Sequence, residues 1–180
     1  HEIVGISGPN GSGKSTLVKI LAGLLSPTQG NVEHLFNGKK VEMENLHNHV
    51  GFVSPYLVLY DEFSAQENIH FFSKIRGINL DQEKLDSLFT KFGLYERKND
   101  LLKTYSSGMK QRVKFIFSMI HKPVIVILDE PTENLDVEGK EKVYEIISEL
   151  GKQCLILIAS NEESDLAICS RIINLKEYKN

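Results

Sequence analysis

Eight residues near the start of the chain, Gly8-Pro9-Asn10-Gly11-Ser12-Gly13-Lys14-Ser15, constrain its fold more than any other stretch. They fit the spacing G-x-x-x-x-G-K-[ST], which chance supplies in roughly 1% or fewer of chains this long. A short apolar run, Ile3–Ser7, leads in. Leu17, Ile20, Leu21 and Leu24 follow at helical spacing, which predicts a helix over Lys14–Leu25. Strand, glycine turn and helix open an α/β unit. In such a turn, glycines let successive backbone N–H groups face inward without Cβ clashes, and the helix N-terminus adds positive potential. The turn is therefore a candidate cradle for a nucleoside triphosphate, built from Gly8 through Thr16. Lys14 would reach the β- and γ-phosphates, Ser15 a Mg²⁺ ion, and Thr16 the α-phosphate.

The remaining sequence fits a P-loop α/β fold with a parallel-sheet core. Asn31–Phe36 and Lys39–Glu42 flank Asn37-Gly38, a hairpin signal that predicts a small antiparallel portion. Val50–Val53 reads as a strand. From Ser64 to Lys122 the pattern turns helical, with Ala65–Lys74, Leu80–Phe92 and Gly108–Ile120 as helices. In the last of these, Met109, Val113, Ile116 and Ile120 share a face. The division is thus residues 1–63 and 123–180 as the α/β core, with 64–122 as an inserted helical lobe. Val124–Leu128 and Leu155–Ala159 read as buried parallel strands, and Arg171–Leu175 as an edge strand. Glu138–Leu150 reads as a helix with Val143, Ile146, Ile147 and Leu150 inward.

Composition excludes more than it selects. Of 180 residues, 25% are charged and 41% hydrophobic, which excludes disordered and low-complexity classes. A net charge of −3 leaves no electrostatic footprint for nucleic acid. No apolar run approaches the ~20 residues that span a bilayer. Cys154 and Cys169 lack metal-ligand spacing and read as reduced thiols, with Cys154 a buried small hydrophobe. His47 and His49 would share a face on a strand, without an evident third ligand. His1, His34, His70 and His121 are expected to be surface or satisfied residues.

A second acidic site follows the strand Val124–Leu128. Asp129 would stand at the C-terminal edge of the sheet, where such folds bind ligands. There it would hold Mg²⁺ through water beside Ser15, while Glu130 orients and polarises the attacking water.

Tyr105-Ser106-Ser107-Gly108-Met109-Lys110-Gln111-Arg112 resembles the LSGGQ signature of ATP-binding-cassette (ABC) ATPases. It lies between the P-loop and the acidic strand, where that family places it. Asp129-Glu130-Pro131-Thr132 and Glu133-Asn134-Leu135-Asp136 are similar to the family's Walker B and D-loop run, with Asp136 as the D-loop aspartate. Gly51-Phe52-Val53 and Ser64-Ala65-Gln66-Glu67-Asn68 resemble the stretches flanking its Q-loop. The resemblance implies an ATP- and Mg²⁺-dependent ATPase that works as a pair. Ser106, Ser107, Gly108 and Met109 of one domain would face the ATP held by the other. It further implies a transmembrane permease partner touched by the lever Ser54–Phe63, and a cytoplasmic place on the inner face of the cell membrane. The form of the signature resembles compact exporter subunits of the ABC-2 and haem-export types.

Several positions depart from that family's pattern. The Q-loop glutamine position falls on Pro55, which has no side-chain amide. Where the family has Thr-His, this chain has Ser160-Asn161, and Asn161 carries no positive charge. Met109 and Tyr105 replace the signature's glutamine and leucine. Slower hydrolysis is the expectation, with Glu130, Lys14 and Asn161 as the catalytic set. The chain begins at His1, two residues before the P-loop strand, so it is expected to be an excerpt cut on its N-terminal side. It would lack the family's adenine-stacking aromatic, which implies weak base selectivity. Two rival readings are a soluble ABC ATPase acting on ribosomes or DNA, and a P-loop nucleotide kinase. The kinase would need a lid rich in arginine, whereas Arg76, Arg97 and Arg112 are scattered.

Overall fold

The computed structural model describes residues 2–178. Five strands form one parallel sheet: β1 (Ile3–Ser7), β4 (Val50–Val53), β5 (Ile125–Asp129), β6 (Leu155–Ala159) and β7 (Arg171–Asn174). Their order is β4-β5-β6-β1-β7, so the last strand lies at an edge. A separate hairpin pairs β2 (His34–Phe36) with β3 (Lys39–Val41). The helices are α1 (Lys14–Leu21), α2 (Met43–Leu46), α3 (Ala65–Ile75), α4 (Gln82–Lys91), α5 (Ser107–Met119), α6 (Val137–Gly151) and α7 (Glu163–Ala167). Among the described residues no helix is long and apolar enough to cross a membrane.

Strand alternation sorts the apolar side chains onto two faces. Val126 and Leu128 of β5 join Ile156 and Ile158 of β6 in the larger cluster, which continues into α3, α4, α5 and α6. Ile127, Ala159 and Ile6 point the other way and pack with Val18 of α1 and Leu46 of α2. Both faces are covered, which is why β6 and the β5 residues before Asp129 are apolar. Val143, Ile146, Ile147 and Leu150 of α6 all point inward, as does Cys154 beside them. On α5, Val113 and Ile116 are fully buried, while Met109 and Ile120 pack at the margin.

Three helices, α3 to α5, lie in sequence between β4 and β5. Ser64 and Glu67 form a reciprocal capping box at the start of α3. Asn68, fully buried, donates to the Tyr60 and Ser64 carbonyls and accepts from the Tyr60 N–H. One side chain thus pins the 54–63 loop to the start of α3. Gly51 lets α5 approach β4 closely, since a Cβ there would stand 2.6 Å from the Ser118 carbonyl oxygen.

Some sequence expectations shift. The first helix ends at Leu21 rather than Leu25, because Gly23 adopts φ +73° and its N–H turns back to the Ile20 carbonyl. Leu24, expected on the apolar face, is therefore 58% exposed. The helix Leu80–Phe92 starts at Gln82, where Asp81 accepts from the N–H groups of Glu83 and Lys84. His47 and His49 lie outside any strand: His47 caps α2, and His49 packs on the Phe36 ring. His1 lies outside the described residues.

Candidate functional site

The glycine turn sits at the C-terminal end of β1, an inner strand between β6 and β7, and runs into α1. Gly13 is at φ +100°, a left-handed conformation that favours glycine, and it directly precedes the first helical residue. Within the turn the Ser12 N–H donates to the Pro9 carbonyl at 3.0 Å. Lys14 is 5% exposed. Its ammonium donates to the Gly8 carbonyl at 2.9 Å and lies 3.7 Å from Glu130 Oε1. Pro9, Asn10 and Gly11 are exposed, as is Thr16 on the first turn of α1.

Helix α1 packs against β5 and β6, which carries Ser15 to the end of β5. There the Ser15 hydroxyl donates to Asp129 Oδ1 at 2.9 Å. Asp129 is 1% exposed, and its Oδ2 is buried with no hydrogen-bond partner among the described residues. A buried carboxylate oxygen left unpartnered beside a hydroxyl is an all-oxygen donor set, which suits a hard divalent cation such as Mg²⁺. Burial pushes the Asp129 carboxyl above its usual range, against the Ser15 hydrogen bond and the Lys19 and Lys14 charges.

Glu130 follows at φ +46°, with its N–H bonded to the Ala159 carbonyl. This leaves its carboxyl at the sheet edge, between Lys14 and Ser160. The Ser160 hydroxyl donates to Glu130 Oε2 at 2.9 Å. Burial raises the Glu130 pKa, opposed by that hydrogen bond and by Lys14. Asn161 is exposed and donates to the Asn10 side-chain oxygen at 2.9 Å, so it touches the glycine turn.

Residues 106–109 stand at the start of α5, and Ser107 lines a cavity that Glu130 also lines. Ser106 is the N-cap of α5, its oxygen accepting from the Met109 N–H at 3.2 Å. Ser106 and Ser107 are exposed, with Gly108 and Met109 half-buried behind them. Gln111 on α5 donates to the Pro131 carbonyl, which joins this helix to the segment after β5. Asp136 caps α6 by accepting from the Gly139 N–H at 2.8 Å. A cavity of about 340 Å³ opens between Pro55, α5, Glu130 and Asn134.

Two residues escaped sequence reasoning. Lys114 of α5 is half-buried and donates to the Ser54 and Pro55 carbonyls, both at 3.3 Å. Asp165 of α7 is 1% exposed, accepts from Thr132 and Tyr144, and has its Oδ2 2.7 Å from the Ser160 oxygen. A lone acid in a five-residue helix leaves no periodic signal. Only the tertiary packing of α7 reveals it.

A glycine turn between an inner parallel strand and a helix, faced by a lysine and a carboxylate pair, defines a P-loop nucleotide-binding domain. Comparison with known proteins narrows the class. The sequence profile of a family described as ABC transporter matches residues 1–133, and the chain belongs to that family. It is 32% identical to the ABC transporter ATP-binding protein NatA of Bacillus subtilis over 178 residues, 96% of this chain and 72% of that protein. It is 34% identical to the ABC transporter ATP-binding protein YxlF of the same organism, covering 98% of this chain and 59% of YxlF. The chain thus spans little more than half of some relatives that it matches. Among solved structures, cbiO1 from Clostridium perfringens, part of the transporter complex cbiONQ, superposes with a TM-score of 0.81 at 26% identity. That match covers 96% of this chain and 72% of cbiO1. The ATP-binding cassette MJ0796, solved as a dimer with ADP and Pi, gives 0.78 at 27% identity, covering 96% and 80%.

Proposed function

We propose that this chain is the ATP-binding and ATP-hydrolysing unit of an ABC transporter, driving a separate transmembrane permease by ATP-dependent pairing of two such domains. The observation that carries the reading is the convergence of Lys14, Ser15, Asp129 and Glu130 at one end of the sheet, with an unpartnered Asp129 oxygen among them. The turn from Gly8 to Thr16 binds the triphosphate through backbone N–H groups and the Lys14 ammonium. Ser15 and Asp129 hold Mg²⁺, which offsets negative charge on the phosphates. Glu130 orients the attacking water and accepts its proton. Asn161, beside Asn10, supplies an amide but no charge where the family has histidine, and Pro55 supplies no side-chain donor. Both changes favour slow hydrolysis.

Ser106, Ser107, Gly108 and Met109 serve the partner domain's ATP, because the chain's own cradle is already complete. The exposure of Ser106 and Ser107 at the start of α5 favours that use. Asp136 belongs to the same face. The division into a core (1–63 and 123–180) and a lobe (64–122) lets the two parts move against each other. The loop Ser54–Phe63 is the contact to the permease, and Tyr56 and Val58 on it are 75% and 77% exposed. A permease contact there would hold the protein at the cytoplasmic face of the membrane. Steady-state phosphate release from Mg-ATP tests the reading. Glu130→Gln is expected to lower release by two orders of magnitude or more, and wild-type protein with no release above buffer would overturn it.

A further inference from the structure

Glu130 must present its carboxylate in one direction to act on a water, and two side chains touch it, Lys14 at 3.7 Å and the Ser160 hydroxyl at 2.9 Å, with the Asn161 backbone N–H beside them. The function proposed above assigns Lys14 to the phosphates. The side-chain contact that stays with Glu130 is then Ser160. Ser160 is fully buried at the end of β6, its backbone N–H bonded to the Ile6 carbonyl at 3.2 Å. Its oxygen is also fixed from behind. It accepts the Glu162 N–H at 3.1 Å and lies 2.7 Å from Asp165 Oδ2.

Asp165 has donors of its own. Thr132 and Tyr144 donate to its Oδ1 at 2.7 and 2.8 Å, so its charge is met by two hydroxyls besides Ser160. The single Ser160 proton serves one carboxylate at a time, and Asp165 keeps two hydroxyl donors on its Oδ1 when that proton turns to Glu130.

We propose that Ser160 is a positioning residue for Glu130: with its oxygen held by the Glu162 N–H, its hydroxyl donates to the Glu130 carboxylate and holds it in its working direction. The inference rests on the reading of Glu130 as the group that activates water. It places a positioning role on the residue before Asn161, in a chain whose Asn161 lacks the charge of histidine.

The test uses Ser160→Ala and Ser160→Thr in the full-length protein. Ser160→Ala is expected to lower kcat for ATP about tenfold or more, the worth of a hydrogen bond to a charged group. KM for ATP and the thermal midpoint should stay close to wild type. Ser160→Thr keeps the hydroxyl and should restore kcat. Unchanged kcat in the alanine variant, or a loss that threonine fails to restore, overturns the inference. A crystal structure of Ser160→Ala supplies the arm that does not depend on turnover. Glu130 is expected to leave the rotamer it holds beside Ser160, and an unmoved Glu130 overturns the inference even if the wild type proves inactive. Wild-type inactivity by itself overturns only the proposed function.

Discussion

His121, just beyond α5, has its Nε2 3.0 Å from the Val50 carbonyl and its Nδ1 3.3 Å from the Arg76 guanidinium. A ring that donates at Nε2 and accepts at Nδ1 is neutral. Burial, reinforced by the Arg76 charge, lowers its pKa from 6.5 to about 4. The sign of the consequence follows: as pH falls from about 6.5 toward 4, the unfolded chain takes up a proton that the folded one refuses. Stability from this group is therefore complete above that window and declines through it. Thermal melts at pH 7 and pH 4.5 should show a smaller acid-induced drop in His121→Gln than in wild type. Asn161 makes a second prediction at this scale. Because its amide carries no charge, Asn161→His should raise ATP turnover several-fold at neutral pH, measured as phosphate release. Unchanged or lower turnover would refute the argument from the missing charge. Sequence made Lys14, Ser15, Asp129 and Glu130 legible, because each belongs to a contiguous motif. Asp165 was not legible, because its partners Thr132, Tyr144 and Ser160 lie on three other segments.

Between β4 and α5 the backbones approach closely. Helix α5 links three parts of the domain: its N-cap Ser106 on the lobe surface, Lys114 against the carbonyls of 54 and 55, and Ser118 against Gly51. A Cβ at Gly51 would meet backbone oxygen at 2.6 Å, and backbone cannot rotate away as a side chain can. Gly51→Ala should destabilise the domain by about 1–3 kcal/mol, read from denaturant midpoints, and no measurable loss would mean that the helix slides freely. Most elements were legible from periodicity, since α6 and β5 bury the residues that their patterns select. The helix after the P-loop was overextended in sequence because Leu24 fits the helical period. Backbone geometry at Gly23 ends it, and no periodic count contains that information. Helices α2 and α7 have four and five residues, too few for an apolar period to register.

At the scale of the whole molecule, the sheet order β4-β5-β6-β1-β7 brings the ends of β1, β5 and β6 side by side. The phosphate cradle, the acidic pair and Ser160 follow those three strand ends. Ser106 and Ser107 are exposed at the start of α5. If they serve a partner's ATP, as proposed above, bound ATP favours assembly with another domain. Glu130→Gln, which retains ATP, should therefore run as a dimer with Mg-ATP and as a monomer without it in analytical ultracentrifugation. A monomer in both conditions would count against the paired mechanism.

Sequence by itself determined the class of this protein. The eight residues from Gly8 to Ser15 place donors and charge for phosphate within one turn, and contiguous motifs need no folded context to be read. The apolar strands and the ordered signature then fixed the family. Tertiary structure alone decided which groups hold the motifs in place: Ser160 beside Glu130, Asn68 on the lever loop, Lys114 against Pro55. Those contacts join residues brought together by sheet order and helix packing. Their strength comes from burial, which a linear pattern does not encode.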